Sequence, residues 1–502
     1  MIEYEANRIP VIVGVGQLND RPTDPASGLD SQALMREALR LADADAGGGW
    51  LAQLDALFVV DQISCPELGD VASGLAAELD IRPKICEQTE APMGDSPMRL
   101  LSEAANLIAA GNVRVAAIVG GEALRTAAKR SRQQEGAAGS ALEQVSARRA
   151  GSYRARYGLT TALDLYPLYE NATRAAYGQT LDEAQLESGE IWKRFSDVAA
   201  ENDGAWIRDP KTVDEIITPS ASNRLITFPY TKLMVANSSV NQGAGFLVTS
   251  LAHARAAGVA EDRLVYVGLG AAAHEPKDPL ARDGYGHSVG MEVSLTRALE
   301  INRIGVEQLD HVELYSCFPC VPKMARRILG LPIDRPLSVC GGLTFCGGPI
   351  ANYMSHAVVS MVQKLRAGGK YGLLFANGGF ATHNHSIVLS SEIFGHANFP
   401  HHYDYQQEAD AARGPVPDVA ESYAGAARLE SYTLPFGRDG RPGPGVVVAL
   451  TPEGRRTVAR VDEGNSAAID RLLSGSRELI GAAGDVGEGE GGIQIWSFAA
   501  MD

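Results

Sequence analysis

Short apolar runs alternate along the chain with longer segments in which apolar residues recur at three- and four-residue steps. The runs include "VIVGVGQ" from Val11, "DALFVVD" from Asp55 and "RVAAIVGG" from Arg114. Buried strands between amphipathic helices are the pattern of a layered α/β fold. The stretch "MGDSPMRLLSEAANLIAAG", Met93 to Gly111, predicts one strand-to-helix junction. Asp95 or Ser96 can cap the helix, Pro97 fits its first turn, and the apolar positions keep helical spacing.

The pattern is written twice. "VIVGVGQ" returns as "VYVGLGA" from Val265, about 254 residues on, and "DALFVVD" returns as "DHVELYS" from Asp310 at about 255. Gly120 in "RVAAIVGG" and Gly378 in "YGLLFANGG" lie about 258 apart. The helix openings at Gly94 and at Gly348, in "GGPIANYMSHAVVSMV", are about 254 apart. Two halves of one plan, packed about a pseudo-twofold axis, would bring these two helix N-termini to one central cavity. Their partial positive charges would favour a carbonyl oxygen or a thiolate there.

Four regions follow: an N-terminal half over 1–124, an insertion over 125–235, a C-terminal half over 236–414 and an appendage over 415–502. The insertion reads as helical and carries a basic set, Lys129, Arg130, Arg132, Arg148, Arg149, Arg154 and Arg156. Arg148 and Arg149 in particular are candidates to hold the phosphates of a ligand by charge-assisted hydrogen bonds. In the appendage, "ESYTLPFGRDGRPGPGVVVALTPEGRRTVARV" alternates strand-like runs with Asp-Gly and Pro-Gly turns, and "GGIQIWSFA" adds a last strand. It reads as a small β-rich domain, a barrel with a short helix at "AAIDRLL", and "GAAGDVGEGEGG" reads as a flexible acidic loop.

Composition narrows the partners. The 502 residues, 45% of them hydrophobic, are enough for several cores, and the formal charge of -16 opposes binding to nucleic acid or to an anionic membrane surface. No apolar run approaches the roughly 18–20 residues that span a bilayer, so no membrane insertion is expected. Six cysteines, with no charged and apolar leader in "MIEYEANRIPVIVG", suggest neither secretion nor a disulfide framework. A cytoplasmic location is expected.

The duplicated halves, the helix-bearing insertion and "GGLTFCGGPIANY" together resemble the thiolase superfamily. The likeness extends to sterol-carrier-type thiolases and to thiolase-like (acetyl-CoA acetyltransferase-like) type 1 proteins, which carry an extra C-terminal domain. The resemblance implies a duplicated thiolase fold in αβαβα layers, with a helical loop insertion and a small β-rich C-terminal domain. It also implies chemistry on acyl-CoA thioesters, by a nucleophilic Cys at the first convergent helix, a His in a Gly-His-Pro turn at the second, and an Asn or His on a neighbouring loop. Here the nucleophile's place falls at or beside Gly94, next to Met93, and the histidine's place is Gly348. The loop is Tyr315-Ser316-Cys317-Phe318-Pro319-Cys320-Val321-Pro322, with Val321 at the Asn position, and the second catalytic cysteine falls near Ala376. Loss of a covalent nucleophile costs on the order of a million-fold in rate and loss of a general base about 10²–10⁴-fold. Ordinary thiolase turnover is therefore not expected.

Other residues could act instead. Tyr315 matches thiolase-fold aldolases, where a phenol is the acid/base of a retro-aldol step. Cys317 lies on the same loop and Cys346 precedes the degenerate turn, so either thiol could approach a thioester. His383 and His385 in "THNH" alternate on one strand face, beside the turn at Asn377 and Gly378 where a ligand would rest. No metal site is expected, since Cys317 and Cys320 lack a second closely spaced pair. The leading reading is a thiolase-like protein that binds acyl-CoA, or a related acyl ligand, with no cofactor beyond the coenzyme A thioester itself. The alternatives are an acyltransferase or retro-aldolase using Tyr315, His383 or a loop cysteine, and a non-catalytic scaffold whose C-terminal domain recruits a protein partner. Monomer and homodimer are both open.

Overall fold

Nine strands form one mixed sheet whose order reads alike outward from its centre in the computed structural model, which describes residues 5–133 and 152–499. In chain order these are β1 (Pro10–Asn19), β2 (Ala56–Val59), β3 (Ile85–Gln88), β4 (Val115–Ala123), β7 (Asn241–Ser250), β8 (Val265–His274), β9 (His311–Leu314), β10 (Tyr371–Gly378) and β11 (His383–Ser390). Between them β5 (Leu225–Thr227) and β6 (Tyr230–Thr231) make a separate two-stranded piece.

The sheet order is β3-β2-β4-β7-β1-β8-β11-β10-β9. Each half repeats one sequence of pairings: β2 runs parallel to β4, which is antiparallel to β7, which is antiparallel to β1. Likewise β9 runs parallel to β10, which is antiparallel to β11, which is antiparallel to β8. The halves meet where Val11 faces Tyr266 and Ile12 faces Val265. Even the irregularities repeat, with a register shift at Ile12/Gly14 in one half and at Ile387/Leu389 in the other. The duplication read from the sequence is thus a duplication of topology.

Helices cover both faces of each half. The outer helices Ser31–Asp45 and Val289–Ile301 pack on β1 with β7 and on β8 with β11 respectively. The inner helices Ser96–Ala109 and Tyr353–Ala367 touch strands of both halves and each other, giving five α/β/α/β/α layers. Strands covered on both faces must be apolar throughout, which is why β1 and β4 read as unbroken runs. Gly14 and Gly16 let the outer helix approach: a Cβ there would lie 2.2 Å from the Ala42 carbonyl and 2.3 Å from that of Ala38.

Between β4 and β7 the chain builds the helices Leu124–Gln133, Ala162–Ala176, Leu181–Glu201 and Val213–Ile217. The last three each open on a threonine in a capping box, Thr161, Thr180 and Thr212. After β11, the strands β12 (Gly425–Thr433), β13 (Gly445–Leu450), β14 (Arg456–Val461), β15 (Ala483–Glu488) and β16 (Gln494–Phe498) close a barrel, with the helix Ser466–Leu473 after β14. One expectation is corrected here. Part of "GAAGDVGEGEGG", read as a flexible loop, is β15, paired on both edges with β12 and β16. Its small residues fit because Trp496 fills the interior: a Cβ on Gly484 would lie 2.3 Å from that indole. No helix among the described residues is long and apolar enough to cross a membrane.

Candidate active site at the start of the first inner helix

The turn from β3 into the inner helix Ser96–Ala109 places Met93, Gly94 and Asp95 at the helix start. An ideal Cβ on Gly94 would stand 2.2 Å from the Asn377 carbonyl and 2.7 Å from Tyr315 Oη. One on Gly378 would stand 2.9 Å from the Gly94 amide nitrogen and 3.0 Å from Asp95 Oδ1. Residues far apart in sequence, Gly94, Tyr315, Asn377 and Gly378, are therefore neighbours.

The space between the two inner-helix starts is filled rather than open. Tyr315 stands there with its hydroxyl toward Gly94 and its ring edge on Tyr353, the first residue of the second inner helix, at 5.7 Å and 90°. Burial raises the Tyr315 phenol well above its ordinary range, so it is a neutral donor and not a ready base. Burial likewise pushes the Cys317 thiol up to about 12, which leaves it protonated and unreactive at neutral pH. Gly348 packs against Ala236, Asn237 and Leu343 and does not line the cavity described below.

Cys346 is paired with Cys340 in a disulfide. This corrects both the expectation of a thiol at Cys346 and that of a chain without disulfides; the π-helical turn Gly342–Cys346 brings the second cysteine back to the first. Arg148 and Arg149 lie outside the described residues. Of the basic insertion residues, Arg154 reaches the site described next, while Arg130 donates to the carbonyls of Ala26 and Gly28 and Arg156 to that of Gly492.

A cavity of about 920 Å³ opens on the other side of Gly94, lined among others by Met93, Asp95, His274, Phe380, Thr382 and His383. Its wall draws on both halves, from the end of β3, the inner-helix start, the end of β8 and the turn between β10 and β11. Asp95 occupies the helix N-cap position, yet its side chain makes no capping bond, contrary to the role that spacing gave it. Its Oδ1 is buried without a partner, as is Nδ1 of His274. The two groups interact: burial raises the Asp95 carboxyl and the nearby His274 opposes that rise. His274 and His383 rings lie 4.8 Å apart, and His383 Nδ1 is 3.1 Å from Thr382 Oγ1. Burial lowers both imidazoles below the usual histidine range, so both are neutral near pH 7. His385, on the same strand face, is a core residue held by Ser102 at 3.1 Å and lowered to about 3 by burial. Arg99, Arg154 and Lys277 supply the cavity's cationic side. Among the described residues no group of three or more His, Cys, Asp or Glu is arranged to hold a metal ion.

The turn that carries this wall is fixed from behind. Tyr166 accepts from the Ala381 amide at 3.0 Å and donates to Asn377 Oδ1 at 3.3 Å, and Tyr169 donates to the Phe380 carbonyl at 2.8 Å. Arg282, wholly buried, donates to the Ala381 carbonyl at 3.1 Å. Sequence reasoning passed over His274, Tyr166, Tyr169 and Arg282. Only His274 left a trace, as a polar residue ending the otherwise apolar run "VYVGLGAAAH".

Comparison with known proteins follows the same lines. A family profile described as the thiolase-like protein type 1 additional C-terminal domain matches residues 404–491. A crystal structure of a monomeric SCP2-thiolase-like protein type 1 from Mycobacterium smegmatis is 31% identical, with a TM-score of 0.82, over 98% of this chain and 99% of that one. An Ltp2–ChsH2(DUF35) aldolase is 17% identical at a TM-score of 0.59, over 77% of this chain and 98% of that one. The dimeric peroxisomal thiolase of Saccharomyces cerevisiae is 13% identical at 0.56, over 78% and 99%. The last two share the fold alone. No curated protein matches the sequence.

Proposed function

The chain belongs to the SCP2-thiolase-like proteins of type 1, and from that premise we propose that it binds an acyl-CoA thioester beside Asp95 without carrying out cysteine-based thiolysis. The observation that carries the reading is the cavity of about 920 Å³ at the inner-helix start. That is ample for an acyl-pantetheine arm. Met93, Ala91 and Phe380 offer it an apolar wall, while Arg99, Arg154 and Lys277 can meet phosphate oxygens. The helix start and the two imidazoles stand where a thioester carbonyl would be polarised.

The test is calorimetry and thermal shift with acetyl-CoA and acetoacetyl-CoA. Saturable binding that weakens with added salt is expected, and Lys277→Met should weaken it by about threefold, the scale of one exposed cation. Absence of binding to either ester would overturn the reading, as would rapid cleavage of acetoacetyl-CoA by free CoA. Gly94→Cys is expected not to create that cleavage. The added Cβ would meet the Asn377 carbonyl at 2.2 Å, so the variant should instead lose about 1–3 kcal/mol to overpacking and melt earlier. A stable, thiolytic Gly94→Cys protein would show that the site is a thiolase lacking only its sulfur.

The short edge strand β3 carries Glu87, a charge that discourages pairing with a second sheet edge. We therefore read the protein as a monomer, the state described for the Mycobacterium smegmatis relative.

A further inference from the structure

We propose that Asp95, His274 and His383 form an acid–base site that removes and returns the α-proton of a bound acyl thioester, with no covalent intermediate. The inference rests on the thioester reading above and adds chemistry to it. Buried polar groups are nearly always hydrogen-bonded, so those left unpaired on a cavity wall call for a ligand. Asp95 is 5% exposed with Oδ1 unpaired, and His274 Nδ1 is buried and unpaired beside it. Both line the cavity together with His383, whose ring is 4.8 Å from that of His274. Two unspent polar groups thus converge with His383 on one volume.

The division of labour follows from the contacts. With Nδ1–H of His383 donated to the Thr382 hydroxyl, Nε2 keeps its lone pair and can accept a proton. Neutral His274 carries one N–H, which it can donate to the thioester oxygen, with the Asp95 carboxyl beside it. In the forward step the Cα–H bond breaks, the proton passes to His383 Nε2, and the electron pair moves through Cα=C to the thioester oxygen. In the return step the enolate carbon takes a proton from the imidazolium, which has meanwhile exchanged with solvent. Atoms and electrons balance with water as the sole proton source. The enolate oxygen gains from the positive end of the inner helix. Burial, and after it the charge of Lys277, keep His383 in its neutral form.

The experiment follows the methyl protons of acetyl-CoA by NMR in deuterated buffer, with calorimetry on the same samples. Exchange of the methyl signal catalysed by the wild-type protein is expected, slowed about 100-fold by His383→Gln and by His274→Gln. Thr382→Val, which leaves the ring in place and removes its anchor, should slow exchange by about tenfold with an unchanged melting temperature. Acetyl-CoA that binds without exchanging would overturn this inference and leave the binding reading standing; no binding would overturn both. Exchange undiminished in His383→Gln would also overturn it.

Discussion

Replacing Lys323 by methionine is expected to destabilise the protein by about 3–5 kcal/mol, because it strands a charge in the interior. Lys323 and Glu170 form an ion pair with both side chains 2% exposed. Lys323 Nζ also donates to the Ala184 carbonyl at 3.0 Å, and Tyr230 donates to Glu170 Oε2 at 2.9 Å. Methionine keeps most of the lysine's volume, so a void contributes little; what remains is a buried carboxylate facing no cation. The same helix, Ala162–Ala176, carries Tyr166 and Tyr169, which hold the turn above the cavity. Acetyl-CoA affinity should therefore fall with stability. Adding Glu170→Leu should restore most of the loss, since a buried pair exchanged for apolar residues of similar volume is roughly neutral, less about 1 kcal/mol for the orphaned Tyr230 hydroxyl. Urea unfolding followed by circular dichroism makes the comparison. A single variant as stable as wild type, or a double variant no better than the single, would refute the assignment.

How the site divides between the legible and the hidden follows from what each part depends on. The duplication was legible because strands covered on both faces leave continuous apolar runs, and two copies leave them at a constant interval; the sheet order about β1 and β8 follows from it. That Gly94 opens a helix and that Tyr315, Asn377 and Gly378 lie at strand ends was legible one by one; that the four meet was not. Nor was the open volume. Its location depends on which way single side chains turn: Tyr315 inward between the helix starts, and Asp95 away from the helix it was expected to cap. His274 lies at the end of β8, where the repeat places Asp20 in the other half, so the duplication offered no hint of it. Pairing of Cys340 with Cys346 depends on a left-handed turn at Gly341, with φ of 109°, which glycine permits and spacing does not announce.

Arg456→Met is expected to damage both the junction of the C-terminal barrel and the cavity beyond it. Arg456, on β14, is wholly buried and pairs with Glu430 of β12 through Nε at 2.7 Å and Nη2 at 2.5 Å. Its Nη1 crosses to the thiolase-like body and donates at 2.6 Å to the carbonyls of both Leu280 and Arg282. The Arg282 side chain in turn donates to the Ala381 carbonyl, in the turn that carries Phe380, Thr382 and His383. One guanidinium thus fixes the backbone of a second, whose own guanidinium fixes the cavity wall. Methionine would leave the Glu430 carboxylate without its cation and two carbonyls without donors, a loss of about 3–5 kcal/mol. Lysine should not rescue it, because a single ammonium cannot serve a carboxylate and two carbonyls with the planar fork's geometry. The expected readouts are an earlier melt, faster proteolytic cleavage between residues 413 and 424, and weaker binding of acetyl-CoA. Destabilisation with unaltered affinity would confine Arg456 to holding the barrel. Loss of affinity at temperatures where the variant is still folded is the result that makes the C-terminal domain part of the site, and it would explain physically why the barrel and the duplicated body occur in one chain.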